Sequence, residues 1–141
     1  SIPYITNNGA NIYIDKKPLH ELSINSNELY TVLDILDKNN IGYVIYNSEH
    51  AFIKGDSEVM NNYYNRISNW MSCIYIYNRN YLKNNVFFKI AIPVNPEHIN
   101  DIMEVINNSC KRTKCILSEK SIFTVTDIDA NKGNGLEFIM N

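Results

Sequence analysis

Two short stretches at opposite ends of the chain carry the residue types and spacings best suited to chemistry. The first is Ile5-Thr6-Asn7-Asn8-Gly9-Ala10, an Asn-Gly step between two alternating apolar runs. Both residues tolerate positive φ, so on local grounds the step is a hairpin turn. The second runs from Thr124 to Leu136, where a strand leads into a loop and the loop into a helix with Lys132-Gly133 in its first turn. A lysine is disfavoured there, because a helix N-terminus already carries partial positive charge. An anion against that end would use both charges at once. Taken alone, Lys132 reads equally as a solvated turn lysine. Between these stretches stand strand-borne polar candidates: Glu49, His50, Lys54, Lys89, Thr124 and Thr126. His50 also fits a solvated turn, and Lys89, between Phe88 and Ile90, fits the outward position of an alternating strand. Asp127 and Asp129 are spaced as a metal pair could be, yet two carboxylates in a polar loop commonly solvate or cap.

The elements that must position these residues follow from periodicity. Tyr4-Ile5-Thr6 and Asn11-Ile12-Tyr13-Ile14 are strands of one hairpin. Leu29, Val32, Leu33, Ile35 and Leu36 form a helical stripe, opened by Ser26 or Asn27 and closed near Asn39-Asn40. Residues 42–47 and 51–54 read as strands paired across Ser48-Glu49-His50. Asp56 or Ser57 caps a helix that runs to about Ile67. The stretch 70–85 stays open between strand and irregular structure. Residues 87–93 are a strand stopped by Pro93. Pro96 opens a helix carrying Ile99, Ile102, Met103, Val105 and Ile106. Residues 115–117 and 122–126 are strands around a turn at 118–121. From residue 26 to 126 the order is α-β-β-α-β-α-β-β, which predicts an α+β fold: an open antiparallel or mixed sheet with helices on one face and the other face free.

The 141 residues suit one domain with a real core, and the net charge of -2 leaves no basic footprint for nucleic acid. The Tyr63-Tyr64 and Tyr75/Tyr77 pairs lack interleaved basic residues, so they read as core and sheet aromatics rather than a base-stacking platform. No apolar run reaches the roughly 20 residues of a membrane span. Cys73, Cys110 and Cys115 are odd in number and form no C-x-x-C pair. That favours a reducing, cytoplasmic setting over a disulfide framework or a zinc cluster. The paired asparagines, such as Asn61-Asn62 and Asn107-Asn108, sit between apolar periodic segments and read as surface and turn positions. The chain begins inside an apparent strand and stops inside an apparent helix, which suggests a segment of a longer protein.

Taken together, the two end segments resemble the places where the Cof-type branch of the haloacid dehalogenase-like hydrolases leaves its catalytic core for its cap and then returns. The exit carries Asn8-Gly9-Ala10; the return carries the strand from Thr124, a polar loop and Lys132-Gly133. The resemblance covers the whole chain. It implies residues 1–24 as the exit hairpin and linker of a Rossmann-like α/β core otherwise absent here, 25–126 as a type C2 cap, and 127–141 as the return loop and start of a core helix. It also implies an Mg2+-dependent phosphatase that hydrolyses small phosphate monoesters, such as sugar phosphates, through an aspartyl-phosphate. Lys132 would contact the nucleophilic aspartate and the phosphoryl group. Asn8 and Gly9 would lie at the cap–core junction near substrate, and His50 and Lys89 on the substrate-selecting cap. The implied partners are a small phosphorylated metabolite and the protein's own catalytic core, with neither nucleic acid nor membrane.

The departures from that family pattern are equally specific. Its Asp-x-Asp-Gly-Thr nucleophile motif is absent, since Asp127-Ile128-Asp129 is followed by Ala130-Asn131. Its Gly-Asp-x-x-Asn/Asp metal motif is not met by Gly55-Asp56-Ser57-Glu58-Val59. Nucleophile, general acid and Mg2+ ligands are therefore expected outside this chain, which by itself should not catalyse. The rival reading from the same element order is a non-enzymatic small-molecule-binding or regulatory α/β domain using the open sheet face.

Overall fold

A computed structural model describes residues 4–6, 11–13, 22–76, 78–93, 99–119 and 122–131. Strands β1 (Tyr4–Thr6) and β2 (Asn11–Tyr13) pair antiparallel, with Ile5 opposite Ile12. The hairpin expected around the Asn-Gly step is present, while Asn8 and Gly9 themselves lie outside the described residues.

The remaining elements are α1 (Ser26–Lys38), β3 (Tyr43–Tyr46), β4 (His50–Lys54), α2 (Glu58–Ile67), β5 (Ser72–Tyr75), a 3-10 turn (Arg79–Leu82), β6 (Lys89–Pro93), α3 (Asn100–Ser109), β7 (Thr113–Glu119), β8 (Ile122–Asp127) and α4 (Ile128–Asn131). Six strands form one open sheet in the order β5-β4-β3-β6-β8-β7. Every neighbour is antiparallel except β4 and β5, which are parallel. This is the open mixed α+β sheet the periodicity predicts, with β5 filling the stretch left open. Being a short edge strand, β5 buries none of its four side chains fully, so it shows no clean alternation.

Local chemistry sets the boundaries. Helix α1 is capped by Asn25 rather than Ser26 or Asn27: the Asn25 Oδ1 accepts from the amides of Asn27 and Glu28 at 2.9 and 3.1 Å. Its stripe of Leu29, Val32, Leu33 and Leu36 is buried. Helix α2 is capped by Ser57, whose Oγ accepts from the Met60 amide at 3.2 Å. The start of α3 is Asn100; Pro96 lies outside the described residues. Residues 128–131 form a helical turn, where the sequence suggested a loop.

The helices do not all share one face. Tyr43 and Ile45 of β3 join a core with α1 and α3, whereas Val44 and Tyr46 join a second core with Met60, Tyr63 and Ile67 of α2. The reason is topological. Strands β4 and β6 both flank β3 antiparallel and so point the same way. From β4 the chain crosses through α2 to parallel β5 at one edge; from β6 it crosses through α3 to β7 at the other. Right-handed crossovers running in opposite directions place their helices on opposite faces. The face expected to be free is thus covered by α2 over β3 and β4. Beyond Ala91 and Ile122, that face of β6 and β8 carries Lys89, Thr124 and Thr126.

Candidate functional site

The chain enters and leaves the sheet at one rim. The Ile24 amide donates to the Phe87 carbonyl at 2.8 Å, and the Phe88 amide to the Tyr46 carbonyl at 2.9 Å, tying the entry to the start of β6 and the end of β3. At the exit, Asp127 pairs with Thr113, the first residue of β7. His50 pairs with Ser72, so the starts of β4 and β5 belong to the same rim. Three polar groupings stand there.

The first is built on Arg112, in the loop between α3 and β7. Its Nη2 donates to Asp127 Oδ1 at 3.0 Å and to Asp129 Oδ2 at 2.8 Å. Asp127 Oδ1 also accepts from the Asp129 amide at 2.9 Å, which makes it the cap of α4. Behind this, the Glu28 carboxylate accepts the backbone amides of Lys111, Arg112 and Thr113 at 2.9 to 3.4 Å. Burial alone would raise the Glu28 carboxyl, but the hydrogen bonds from those amides, Thr113 foremost, outweigh it and hold it below the usual range.

The second grouping is Tyr46, Tyr63 and Lys89. Lys89 lies directly across the ladder from Tyr46, and its Nζ sits over the Tyr46 ring, 5.0 Å from the centroid. The Tyr46 and Tyr63 hydroxyls are 2.6 Å apart in the buried core beneath. Burial, reinforced by Tyr63, pushes the Tyr46 phenol upward, so it stays protonated. The third grouping is the β3–β4 turn. Asn47 Oδ1 accepts from the amides of Glu49 and His50 at 2.8 and 2.6 Å. That turn holds His50 with its Nε2 3.8 Å from Glu49 Oε2 and its ring edge-on to Phe52. The buried Nδ1 of His50 has no hydrogen-bond partner among the described residues.

Of the residues singled out by sequence, His50 and Lys89 therefore share a rim but stand on opposite faces. His50 alternates with Ala51, which is on the face of Tyr46 and Lys89. Thr124 and Thr126 share the Lys89 face and are buried. Lys54 is on the α1 face near the opposite rim, paired with Asp37 at 2.6 Å. Asp127 caps the turn that follows it, and the Asp129 carboxylate pairs with Arg112. Lys132, like Asn8 and Gly9, lies outside the described residues. Sequence reasoning missed Glu28, Arg112 and Tyr46. An acidic residue in the first turn of α1 is visible, but its partner amide at Thr113 is 85 residues away and leaves no local trace.

Other chemistries find little support among the described residues. Burial raises all three thiols, Cys115 up to about 12, so none is a thiolate nucleophile near neutral pH. No three His, Cys, Asp or Glu side chains among the described residues come together as a metal set. A cleft of about 530 Å³ lies at the far rim between Asn39, Gly42, Gly55 and Ser57, and contains none of the site candidates. No described helix is long and apolar enough to cross a membrane.

Residues 1–141 match the family model of the haloacid dehalogenase-like hydrolases. Comparison with curated proteins gives no match. Among solved structures, SMU.1108c from Streptococcus mutans UA159 aligns at a TM-score of 0.75 and 19% identity, over 97% of this chain and 52% of that one. TM0651 from Thermotoga maritima aligns at 0.68 and 17%, over 93% and 49%. A sugar phosphatase described as subclass IIB of the same superfamily, BT4131, aligns at 0.73 and 12%, over 96% and 50%. The chain spans about half the length of these proteins, and at such identities the likeness is one of fold.

Proposed function

We propose, from the premise that the chain belongs to the haloacid dehalogenase-like hydrolases, that it is the substrate-selecting cap of a phosphatase with short flanking pieces of its catalytic core. The observation that carries this reading is the family match over the whole chain. Two others support it: a sugar phosphatase aligns over 96% of this chain at a TM-score of 0.73, and the chain enters and leaves its own sheet at a single rim, the geometry of a domain inserted into another. In this reading the full-length protein hydrolyses small phosphate monoesters, sugar phosphates foremost, in the cytoplasm.

Within that scheme the rim of Lys89, His50 and Asn47 faces the catalytic core. Lys89 meets an anionic or hydroxyl-bearing part of the substrate, and the half-buried His50 side chain a second polar group. Asn8 and Gly9 border the same space from the hairpin. Lys132 stands beside the nucleophilic carboxylate and the transferred phosphoryl group. A fixed cation there keeps the carboxylate ionised and offsets charge developing on the phosphoryl oxygens.

Mg2+ belongs to this chemistry in the family, where it neutralises phosphoryl charge. The described residues do not fit it. Both aspartates of Asp127-Ile128-Asp129 are engaged by Arg112, which supplies the positive charge a metal would bring.

The test is Lys132→Ala in the full-length protein, assayed on a panel of hexose and pentose monophosphates. The expected result is a fall in kcat of about 10²–10³, typical for loss of one group that stabilises transition-state charge, at an unchanged Tm. Unchanged turnover refutes the reading.

A further inference from the structure

Lys89 is long and flexible, yet it is held in one place by a residue no family motif marks. We propose that Tyr46 is a positioning residue for Lys89, presenting its ammonium to the substrate, and that Tyr63 locks Tyr46 in turn. This rests on the reading of Lys89 as a substrate contact.

The inference is built from the ladder outward. Tyr46 is the last residue of β3, and Lys89, the first of β6, is its direct cross-strand partner. Paired residues on one face of a sheet stand side by side, so the lysine stem lies along the tyrosine ring. The ammonium completes the contact 5.0 Å above the ring centroid, within the range of a cation–π attraction. A ring free to swing would place the charge nowhere in particular. Tyr46 is not free: it is 1% exposed, and its hydroxyl is paired with that of Tyr63 at 2.6 Å. Tyr63 belongs to α2 and carries Arg66 over its own ring at 5.0 Å. A continuous line of contacts thus runs from α2 to the rim. Lysine loses much rotamer freedom when it binds a ligand, and a residue already ordered loses less. The benefit appears in binding of the substrate portion that Lys89 meets. It does not extend to phosphoryl transfer itself, which the proposed function assigns to Lys132 and to residues beyond this chain.

The experiment uses the full-length protein and the hexose or pentose monophosphate it turns over best. Lys89→Ala is expected to raise KM about tenfold with little change in kcat. Tyr46→Leu, which removes the ring, should give the same split, and Tyr46→Phe, which keeps the ring, should rescue most of the loss. The double variant Lys89→Ala/Tyr46→Leu should be no worse than Lys89→Ala alone, since both remove one unit. If Lys89→Ala raises KM but Tyr46→Leu leaves it unchanged, or if the two losses multiply, the positioning role is overturned while the substrate contact stands. If Lys89→Ala has no effect on KM, the site reading falls and this inference with it. A readout without any variant guards against a Tyr46→Leu protein that does not fold. In the wild type the Lys89 ε protons should be shifted upfield by the Tyr46 ring current; ε protons at the position of a solvated lysine overturn the proposal.

Discussion

Asp37 accepts from three side chains at once: Lys54 Nζ at 2.6 Å, Arg79 Nη2 at 2.8 Å and the Tyr43 hydroxyl at 3.0 Å. Burial pushes its carboxyl up, but these three donors outweigh burial and the net shift is downward. A carboxylate whose folded pKa is depressed contributes stability that is fully present above its unfolded value, near 3.8, and is lost as pH falls through the folded value. Thermal melts should therefore lose Tm steeply below that value. Asp37→Asn should lower stability near neutral pH by about 1–3 kcal/mol, since it strips charge from a shared acceptor, and should flatten the acid limb. Glu28, depressed for the same kind of reason, leaves some slope behind. An acid limb identical in the two proteins would show that Asp37 carries no such linkage. This cluster also gives Lys54, singled out in the sequence, a partner that the sequence did not show. A lysine in a β-strand invites a ligand, but its partner Asp37 is 17 residues back on a helix, and Arg79 is 42 residues beyond that aspartate. Pairings of that reach leave no mark in a local pattern.

Elements were legible where the pattern is strong and local. The α1 stripe, the 115–117 and 122–126 strands, and the hairpin flanking Asn8-Gly9 all appear because apolar periodicity and turn chemistry agree there. Strand β5 was not legible: at a sheet edge, parallel to its only neighbour, it needs neither alternation nor a continuous apolar run. The seat of α2 was hidden too, although one residue marks it. Gly42 precedes β3 on the α2 side, and a Cβ there would meet Met60 Cγ at 2.9 Å and the Lys54 carbonyl at 3.0 Å. The glycine is needed for close approach of helix to sheet. Gly42→Ala should push Met60 and α2 outward and destabilise by about 1–3 kcal/mol, the usual cost of overpacking. Because the Lys54 carbonyl is one of these neighbours, movement of the Met60 side chain alone cannot relieve the whole clash. A melt unchanged from wild type would place α2 farther from the sheet than described.

At the scale of the molecule, the sheet class followed from the order of elements, but the distribution of helices did not. That distribution depends on which edge each crossover heads for, and strand order is set by pairing between residues far apart in sequence. The same holds for the rim: His50 and Lys89 are 39 positions apart by their numbering, and only the ladder through Tyr46 places them at one end and on opposite faces. The rim also bears on what the proposed function expects of this polypeptide by itself. Its one Asp-x-Asp, Asp127-Ile128-Asp129, sits where a nucleophile motif would have to be, at a strand end leading into a helix. Yet Asp127 Oδ1 is already occupied by Arg112 and by the Asp129 amide, and the side chain is only 8% exposed. Oδ1 is thus committed to holding the turn together, and the carboxylate is held against the chain by Arg112. The 141-residue polypeptide with Mg2+ should thus give no turnover of p-nitrophenyl phosphate above the buffer rate, while retaining a cooperative melt. Turnover that vanishes in Asp127→Ala would make this aspartate a nucleophile and overturn its assignment as a cap. Absence of turnover with an intact melt is the outcome the proposed function expects of these 141 residues.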